Sequence, residues 1–207
     1  MSGAKGKVYI VDDDAAVVDS LSMLLQSDGF DCVPMSSAEA FLARHDPETQ
    51  GCLVLDLRMP GMNGIELQRE LRRRGNPLPA VMISGHGTVD AAVTALKDGA
   101  VDFIEKPINP AALVDAVKRA LKRDAEDRER RRERSKLDEL VGTLTPRERE
   151  IMDEMVAGRA TRDIATSFGI SPRTVEVHRA NVLEKMKLRS TAELVSFVLS
   201  QRGGGRS

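Results

Sequence analysis

Short apolar runs alternate with stretches of helical hydrophobic spacing along the first 121 residues. Four of the runs end in polar residues. Residues 8–11 lead to Asp12 and Asp13, 52–55 to Asp56, 80–83 to Ser84, and 102–105 to Lys106. Together with a run around Val33, they give five strand–helix units. This alternation is typical of a parallel sheet covered by helices on both faces. We therefore predict a five-stranded, doubly wound α/β domain over residues 1–121.

Residues 122–142 begin as a run of mixed charge rich in helix formers, which indicates a solvated helical linker. The end of this run recovers an apolar stripe, and a short coiled-coil contact between two chains is therefore the alternative. The stripe consists of Leu137, Leu140, Val141 and Leu144.

From residue 143 the hydrophobic pattern is helical throughout. Thr145, Pro146 and Glu148 form a capping-box sequence that opens a first helix, and Ser171 precedes Pro172 at the start of a third. Four short helices are expected in all. Residues 143–207 therefore predict a small all-α domain.

The polar strand ends of the first domain are expected to meet, because parallel strands place all their carboxyl ends at one edge of the sheet. Taken alone, Asp56 could simply cap a turn. Carboxylates brought together repel one another and call for a cation, and an all-oxygen group suits Mg²⁺. Beside such an ion, Asp56 could act as a nucleophile toward a phosphoryl group, with Lys106 and Ser84 contacting the phosphoryl oxygens.

Composition adds two constraints. With 207 residues and 41% hydrophobic residues, the chain can form one medium and one small domain, and it has neither an apolar run of membrane-spanning length nor a basic-then-apolar leader. We expect a cytoplasmic protein without a membrane partner. Residues 1–121 carry 12 Lys and Arg against 17 Asp and Glu, whereas residues 143–207 carry 11 against 8. The two parts are therefore expected to have different partners.

Residues 5–121 closely resemble the receiver domain of two-component response regulators, which has a flavodoxin-like fold. The matching parts are the pair Asp12-Asp13, Asp56 in DLRMPGMNG, Ser84, and Lys106-Pro107 in FIEKP. The resemblance implies that Asp56 is the phosphoacceptor and that Mg²⁺, with Mn²⁺ as a substitute, is held by Asp13, Asp56 and the backbone carbonyl of Arg58. Asp12 would then act through water. The Lys106–Pro107 bond is expected to be cis.

The same resemblance implies a switch in which Ser84 moves toward the phosphoryl group and Phe103 rotates. Simple core packing is the alternative for Phe103. Asp14 lies outside the acidic pair and is interpreted as a helix cap. Arg58 and His86, each two residues beyond a site residue, are positioned to affect the lifetime of the phosphate. A plain surface loop residue is the alternative for His86.

In the second domain, a short helix, a turn containing Gly169 and a capped longer helix predict a helix-turn-helix unit. On a helical wheel, Val175, Val182 and Met186 form the buried stripe of residues 172–187. The opposite face carries Arg173, Glu176, Val177, Ala180 and Glu184. A buried stripe is found on any packed helix, but an outward Val177 can meet a thymine methyl group in the major groove. We therefore interpret this helix as DNA-binding.

Residues 145–197 resemble the LuxR/NarL-type DNA-binding domain through LTPREREIM, DIA and SPRTVEVHRANVLEKM, and the whole chain is similar to regulators of the FixJ type. The resemblance implies that Glu176, Val177 and Ala180 read bases. Glu176 could accept from a cytosine amino group. The other predicted DNA contacts, several of them to phosphates, are Arg173, Thr174, His178, Arg179, Lys185 and Lys187.

A cytoplasmic DNA-binding response regulator is therefore expected, and not an enzyme. A sensor histidine kinase would phosphorylate Asp56, and a homodimer would then control transcription, with activation through RNA polymerase expected. The dimer surfaces would be residues 89–96, 103–105 and 113–121, and the helix carrying Leu194, Val195 and Val198. One rival, an aspartyl-phosphate phosphatase, usually needs a second Asp where this chain has Arg58. The other is a phosphate sink, or a receiver that acts without phosphorylation.

Overall fold

The computed structural model describes residues 5–85 and 89–203, so the predicted role of His86 lies outside the described residues. The chain divides into two compact units, residues 1–127 and 128–207. Within the described part, no helix combines the length and the apolar character needed to cross a membrane.

The first unit is built on the predicted five-stranded parallel sheet. The strands are β1 (Lys7–Val11), β2 (Asp31–Met35), β3 (Cys52–Asp56), β4 (Ala80–Ser84) and β5 (Asp102–Glu105). Their order across the sheet is β2-β1-β3-β4-β5, and every neighbouring pair is parallel. All residues of β3 and β4 are buried, as expected for central strands covered on both faces. The doubly wound prediction is confirmed.

Helices cover the two faces of this sheet with separate apolar cores. The helices are α1 (Ala15–Ser27), α2 (Ala38–Leu42), α3 (Gly64–Arg73), α4 (Val89–Lys97) and α5 (Pro110–Gly142). Residues of α1 and α5 share one core with alternate strand residues, including Leu25, Val54 and Leu113. Residues of α2, α3 and α4 share the other core, including Leu55 and Leu67. Because both cores include strand residues, helix packing holds the sheet in place. It thereby also positions the edge at which the strands end.

The helix α5 continues through the predicted linker without a break and ends at Gly142. One acid in its charged run departs from the solvated interpretation: Asp124 is 1% exposed, and its Oδ2 accepts a hydrogen bond of 3.0 Å from the Gly51 amide. Gly51 has φ +123°, and a Cβ there would lie 2.2 Å from the Lys7 carbonyl oxygen. Glycine at this position therefore lets the chain enter β3 beside β1.

The second unit contains α6 (Pro146–Val156), α7 (Thr161–Phe168), α8 (Pro172–Lys185) and α9 (Thr191–Gly203). The predicted caps are present: Thr145 and Glu148 form a capping box, and the Ser171 hydroxyl accepts from the Thr174 amide. The apolar stripe at the end of α5 packs into the core of this unit, with Leu137 and Leu144 buried and Leu140 and Val141 packed against them. The apolar stripe is thus packed within one chain and does not need a second chain to cover it.

Candidate functional site

The carboxyl edge of the sheet brings three of the predicted side chains together. Asp12 follows β1, Asp56 is the last residue of β3, and Lys106 follows β5. The ammonium of Lys106 lies 2.8 Å from Asp56 Oδ1 and 3.1 Å from Asp12 Oδ2. Asp56 is 50 positions and Asp12 is 94 positions from Lys106 in the sequence. They become neighbours because their strands end at the same edge of the sheet. One cationic atom therefore joins two carboxylates at a single point.

Backbone amides donate to the carboxylate oxygen of each acid that does not contact Lys106. The Arg58 amide donates to Asp56 Oδ2 at 2.7 Å, and the Asp14 amide donates to Asp12 Oδ1 at 2.9 Å. Asp14 itself caps α1 by accepting from the Ala16 amide, as predicted. Both acids therefore have a fixed orientation, because each is held from one side by the main chain and from the other by Lys106.

The charges at this point do not balance. Asp12 and Asp56 are 4% and 7% exposed, so two buried carboxylates face one ammonium. Burial raises the pKa of Asp12, and the nearby Asp56 charge raises it further, against the lowering effects of the Asp14 amide and Lys106. Burial would lower the pKa of Lys106, but its hydrogen bonds to Asp56 and Asp12 raise it overall. A second cation would relieve the remaining repulsion between the acids.

The three acids among the predicted magnesium ligands differ in burial. Asp12 and Asp56 meet at Lys106, whereas the Asp13 side chain is exposed. Across residues 5–85 and 89–203, no group of three or more His, Cys, Asp or Glu side chains is arranged to hold a metal ion. The donors at this edge are all oxygens, and Mg²⁺ uses few carboxylates and keeps several waters. The residues therefore fit Mg²⁺ better than a metal that needs a full protein cage.

Two further predicted residues lie on the strands that border this edge. Ser84 ends β4, is 1% exposed, and its carbonyl accepts from the Lys106 amide at 2.9 Å. Phe103 on β5 is half-buried and packs against the core shared by α2, α3 and α4. The Lys106–Pro107 bond is cis, as predicted. Phe103 therefore has the core packing named as its alternative, and its switch role stays a prediction.

Two residues at the loop after Asp56, Glu39 and Gly64, were given no role from the sequence. Glu39 on α2 accepts a hydrogen bond of 3.0 Å from the Met62 amide, which ties this loop to α2. Gly64 begins α3 directly against the strand end: a Cβ there would lie 2.5 Å from the Asp56 carbonyl oxygen. Glycine is a poor helix former, so its presence at the start of a helix was the available signal for a close backbone approach.

Replacing Gly64 with Ala should displace Asp56, because the clashing atom belongs to the backbone and has no rotamer to escape into. We expect the free energy of unfolding of the receiver unit to fall by about 1–3 kcal/mol. Uptake of a phosphoryl group should slow as well. Gly142→Ala is the matched control, since nothing lies within 4 Å of a Cβ at that position. Equal behaviour of the two variants in urea unfolding and phosphorylation would contradict the packing role of Gly64.

The outward face of α8 agrees with the helical-wheel prediction. Val175, Val182 and Met186 are at most 1% exposed and form the buried stripe. Val177 is 55% exposed, a high value for an apolar residue. The other predicted DNA-contact residues with exposed side chains are Arg173, Thr174, Glu176, Ala180 and Lys187. The side chains predicted to read bases are therefore exposed on the surface of α8.

Three of the predicted DNA contacts are half-buried instead: His178, Arg179 and Lys185. Arg179 donates to the Thr191 hydroxyl at 3.1 Å. The Lys185 ammonium lies 2.6 Å from Glu148 Oε2, and Glu148 is 4% exposed. These contacts give Arg179 and Lys185 partners within the unit, a role that the sequence did not indicate.

Comparison with known proteins gives two matches that together cover most of the chain. Residues 8–118 match the family described as "Response regulator receiver domain", and residues 142–198 match "Bacterial regulatory proteins, luxR family". The transcriptional regulatory protein FixJ of Azorhizobium caulinodans is 46% identical over 192 residues, which are 93% of this chain and 91% of that protein. The transcriptional regulatory protein TdiR of Thauera aromatica is 41% identical, over 96% of this chain and 87% of that protein.

Two solved structures extend the similarity to both units. The response regulator StyR is similar with a TM-score of 0.81 and 42% identity, over 95% of this chain and 100% of that one. Full-length FixJ from B. japonicum is similar with a TM-score of 0.60 and 40% identity, over 98% of this chain and 100% of that one. The similarity in sequence and structure thus includes the acidic sheet edge and the helix-turn-helix unit.

Proposed function

Because the chain belongs to the DNA-binding response regulators that join a receiver domain to a LuxR-family output domain, we propose that Asp56 is its phosphoacceptor. The observation that carries the proposal is the placement of Asp56 beside Lys106 and Asp12 at the carboxyl edge of the sheet. The donor would be a phosphohistidine of a sensor kinase. The receiver unit would thus be phosphorylated by the kinase, and the helical unit would bind DNA in response.

Phosphoryl transfer uses a lone pair on an Asp56 oxygen. That oxygen attacks phosphorus, the P–N bond of the phosphohistidine breaks, and its electron pair stays on the histidine nitrogen. The Arg58 amide and the Lys106 ammonium fix the plane of the carboxylate during the attack. The Lys106 ammonium then offsets the charge of the phosphoryl oxygens, and the Ser84 hydroxyl can donate to one of them. The chain thereby accepts a group once per cycle, so it acts as a phosphoacceptor and not as an enzyme.

The residues proposed to hold Mg²⁺ are Asp13, Asp56 and the backbone carbonyl of Arg58, with Asp12 bonded through water. The uncompensated negative charge of the buried acids supports a cation here. When bound, Mg²⁺ supplies positive charge that stabilises the phosphoryl oxygens. Lys106 remains necessary, because it is the group that contacts both buried acids.

The proposed output is binding of promoter DNA in the cytoplasm by two copies of α8, with activation through RNA polymerase. One weakly basic unit binds DNA weakly, so two units on a two-fold site would give the required affinity. On the receiver, Val93 and Leu96 of α4 are 42% and 47% exposed and provide an apolar contact for dimerisation. Phosphorylation would favour this dimer.

In two of the predicted dimer surfaces the apolar side chains face inward, whereas the use of these surfaces in a dimer stays a prediction. In the stretch 113–121 of α5, Leu113, Ala116, Val117 and Ala120 are buried in the receiver core. In α9, Leu194 and Val198 are 0% and 1% exposed. Apolar side chains at helical spacing packed inward in both helices, and spacing alone cannot tell a core stripe from an interface stripe. On α9 the exposed apolar residue is Leu199, at 53%.

Removal of Mg²⁺ tests the proposal. Incubated with acetyl phosphate and Mg²⁺, the full chain should gain one phosphoryl group in its intact mass, and hydroxylamine should remove it. With EDTA in place of Mg²⁺, the rate should fall by at least roughly tenfold. Equal rates with EDTA and Mg²⁺ would contradict the magnesium site, and no uptake in either would contradict the phosphoacceptor.

A further inference from the structure

A hydrogen bond links the beginning of α7 to the outward face of α8. The Thr161 hydroxyl donates to Glu176 Oε1 at 2.7 Å. Thr161 is the first residue of α7 and is half-buried, whereas Glu176 is exposed on the face that carries Val177 and Ala180. Each carboxylate oxygen has two lone pairs, so Glu176 can accept this bond and a second one from another molecule.

The donor and the acceptor of this hydrogen bond both lie on helices that are anchored in the core. Three residues after Thr161, Ile164 is 0% exposed and anchors α7 in the core, and Val175 directly before Glu176 is also 0% exposed. Threonine is branched at Cβ and has few χ1 rotamers. Glutamate by itself has three rotatable bonds and many conformers. The contact therefore restricts a flexible exposed carboxylate by means of a rigid donor.

We propose that Thr161 is a positioning residue for base recognition, holding Glu176 so that its carboxylate selects cytosine in the major groove. The inference rests on the proposed DNA-binding face of α8. Cytosine presents an amino donor to the groove, whereas guanine presents two acceptors, which repel a carboxylate. Adenine presents a donor next to the N7 acceptor, and thymine presents the O4 acceptor. A fixed carboxylate is therefore most selective for cytosine.

Without the Thr161 hydroxyl, Glu176 must lose its rotamer freedom when DNA binds. The nearby DNA phosphates would also repel a mobile carboxylate toward solvent. The loss of sequence discrimination should appear at one base pair. Among the described residues, the proposed base reader that the Thr161 hydroxyl contacts is Glu176. A residue that merely stabilised α7 would instead weaken binding to every sequence equally.

The test begins with selection of binding sites from a random DNA pool by the full chain, with Mg²⁺ and beryllofluoride present. Affinities are then measured for the selected site and for its single-base-pair variants, using the natural chain, Glu176→Ala, Thr161→Val and Thr161→Ser. Valine keeps the shape of threonine without the hydroxyl, and serine restores the hydroxyl. Thermal unfolding and affinity for unrelated DNA control for structural damage.

The base pair that loses discrimination in Glu176→Ala identifies where Glu176 reads. There the natural chain should favour cytosine by roughly tenfold or more. Thr161→Val should bind the cytosine site roughly three- to tenfold more weakly and keep its affinity for unrelated DNA, and Thr161→Ser should bind like the natural chain. The inference is overturned if Thr161→Val keeps the natural discrimination, if it weakens all sequences equally, or if Glu176→Ala changes no base preference. Failure of the natural chain to enrich any sequence would instead overturn the proposed function.

Discussion

Asp56→Asn should reduce phosphoryl uptake from acetyl phosphate or a phosphorylated kinase to below detection. An amide lacks the nucleophilic oxygen of a carboxylate, and it places an N–H donor opposite either Lys106 or the Arg58 amide, which are donors themselves. The other buried acid, Asp12, keeps its contact with Lys106 and its hydrogen bond from the Asp14 amide. Intact mass measured over time, with and without hydroxylamine, detects the acyl phosphate.

The matched control is Asp19→Asn, which makes the same chemical change at an exposed position of α1. It should take up phosphoryl groups like the natural chain. Asp56→Asn should also remain folded, because removing one of two buried carboxylates lessens the repulsion that raises the pKa of Asp12. Hydroxylamine-sensitive uptake by Asp56→Asn at the natural rate would show that another residue is the acceptor.

Lys185→Met should destabilise the helical unit by about 1–3 kcal/mol. The Lys185 ammonium lies 2.6 Å from Glu148 Oε2, which also accepts from the Thr145 amide at 2.8 Å. Glu148 thus joins the start of α6 to the end of α8. Methionine keeps most of the side-chain length but leaves the buried Glu148 carboxylate without its cation. Amide hydrogen exchange of α6 and α8 measures the effect separately from the receiver unit.

The same ion pair predicts how stability depends on pH. The hydrogen bond from Lys185, followed by that from the Thr145 amide, lowers the pKa of Glu148 to about 2 from its ordinary value of 4.5. The lowered pKa stabilises the fold above about pH 4.5, and this stabilisation is lost as the pH falls toward about 2. Lys185→Met should lose less stability over that interval. Lys187→Met, which removes an exposed positive charge two residues later, is the control. An equal response of both variants would contradict the role of the pair.

Much of the receiver was predictable because its signals are local. A five-residue apolar strand, a capping acid such as Asp14 and the proline after Lys106 each lie within a few positions of the feature they determine. The convergence of Asp12, Asp56 and Lys106 followed from one topological fact, the shared carboxyl edge of parallel strands. The polar and apolar faces of α8 followed from helical periodicity.

The features that were missed depend on which distant residues approach one another. The hydrogen bond between Asp124 and Gly51 joins residues 73 positions apart, and the contact between Lys185 and Glu148 spans 37. Nothing in the spacing of a charged run tells a solvated acid from a buried one. The pairing of Thr161 with Glu176 likewise required the actual packing of α7 on α8.

Asp56 is buried in the receiver unit, Val177 is exposed on the helical unit, and we propose that phosphorylation of Asp56 controls DNA binding by the helical unit. The most direct measurement is solution mass and affinity for a selected DNA site, with and without beryllofluoride and Mg²⁺, for the natural chain and Asp56→Asn. We expect the mimic to raise both the dimer fraction and the DNA affinity of the natural chain and to change neither in Asp56→Asn. Unchanged DNA affinity of the natural chain would contradict the account and identify the receiver as a phosphate sink or docking domain.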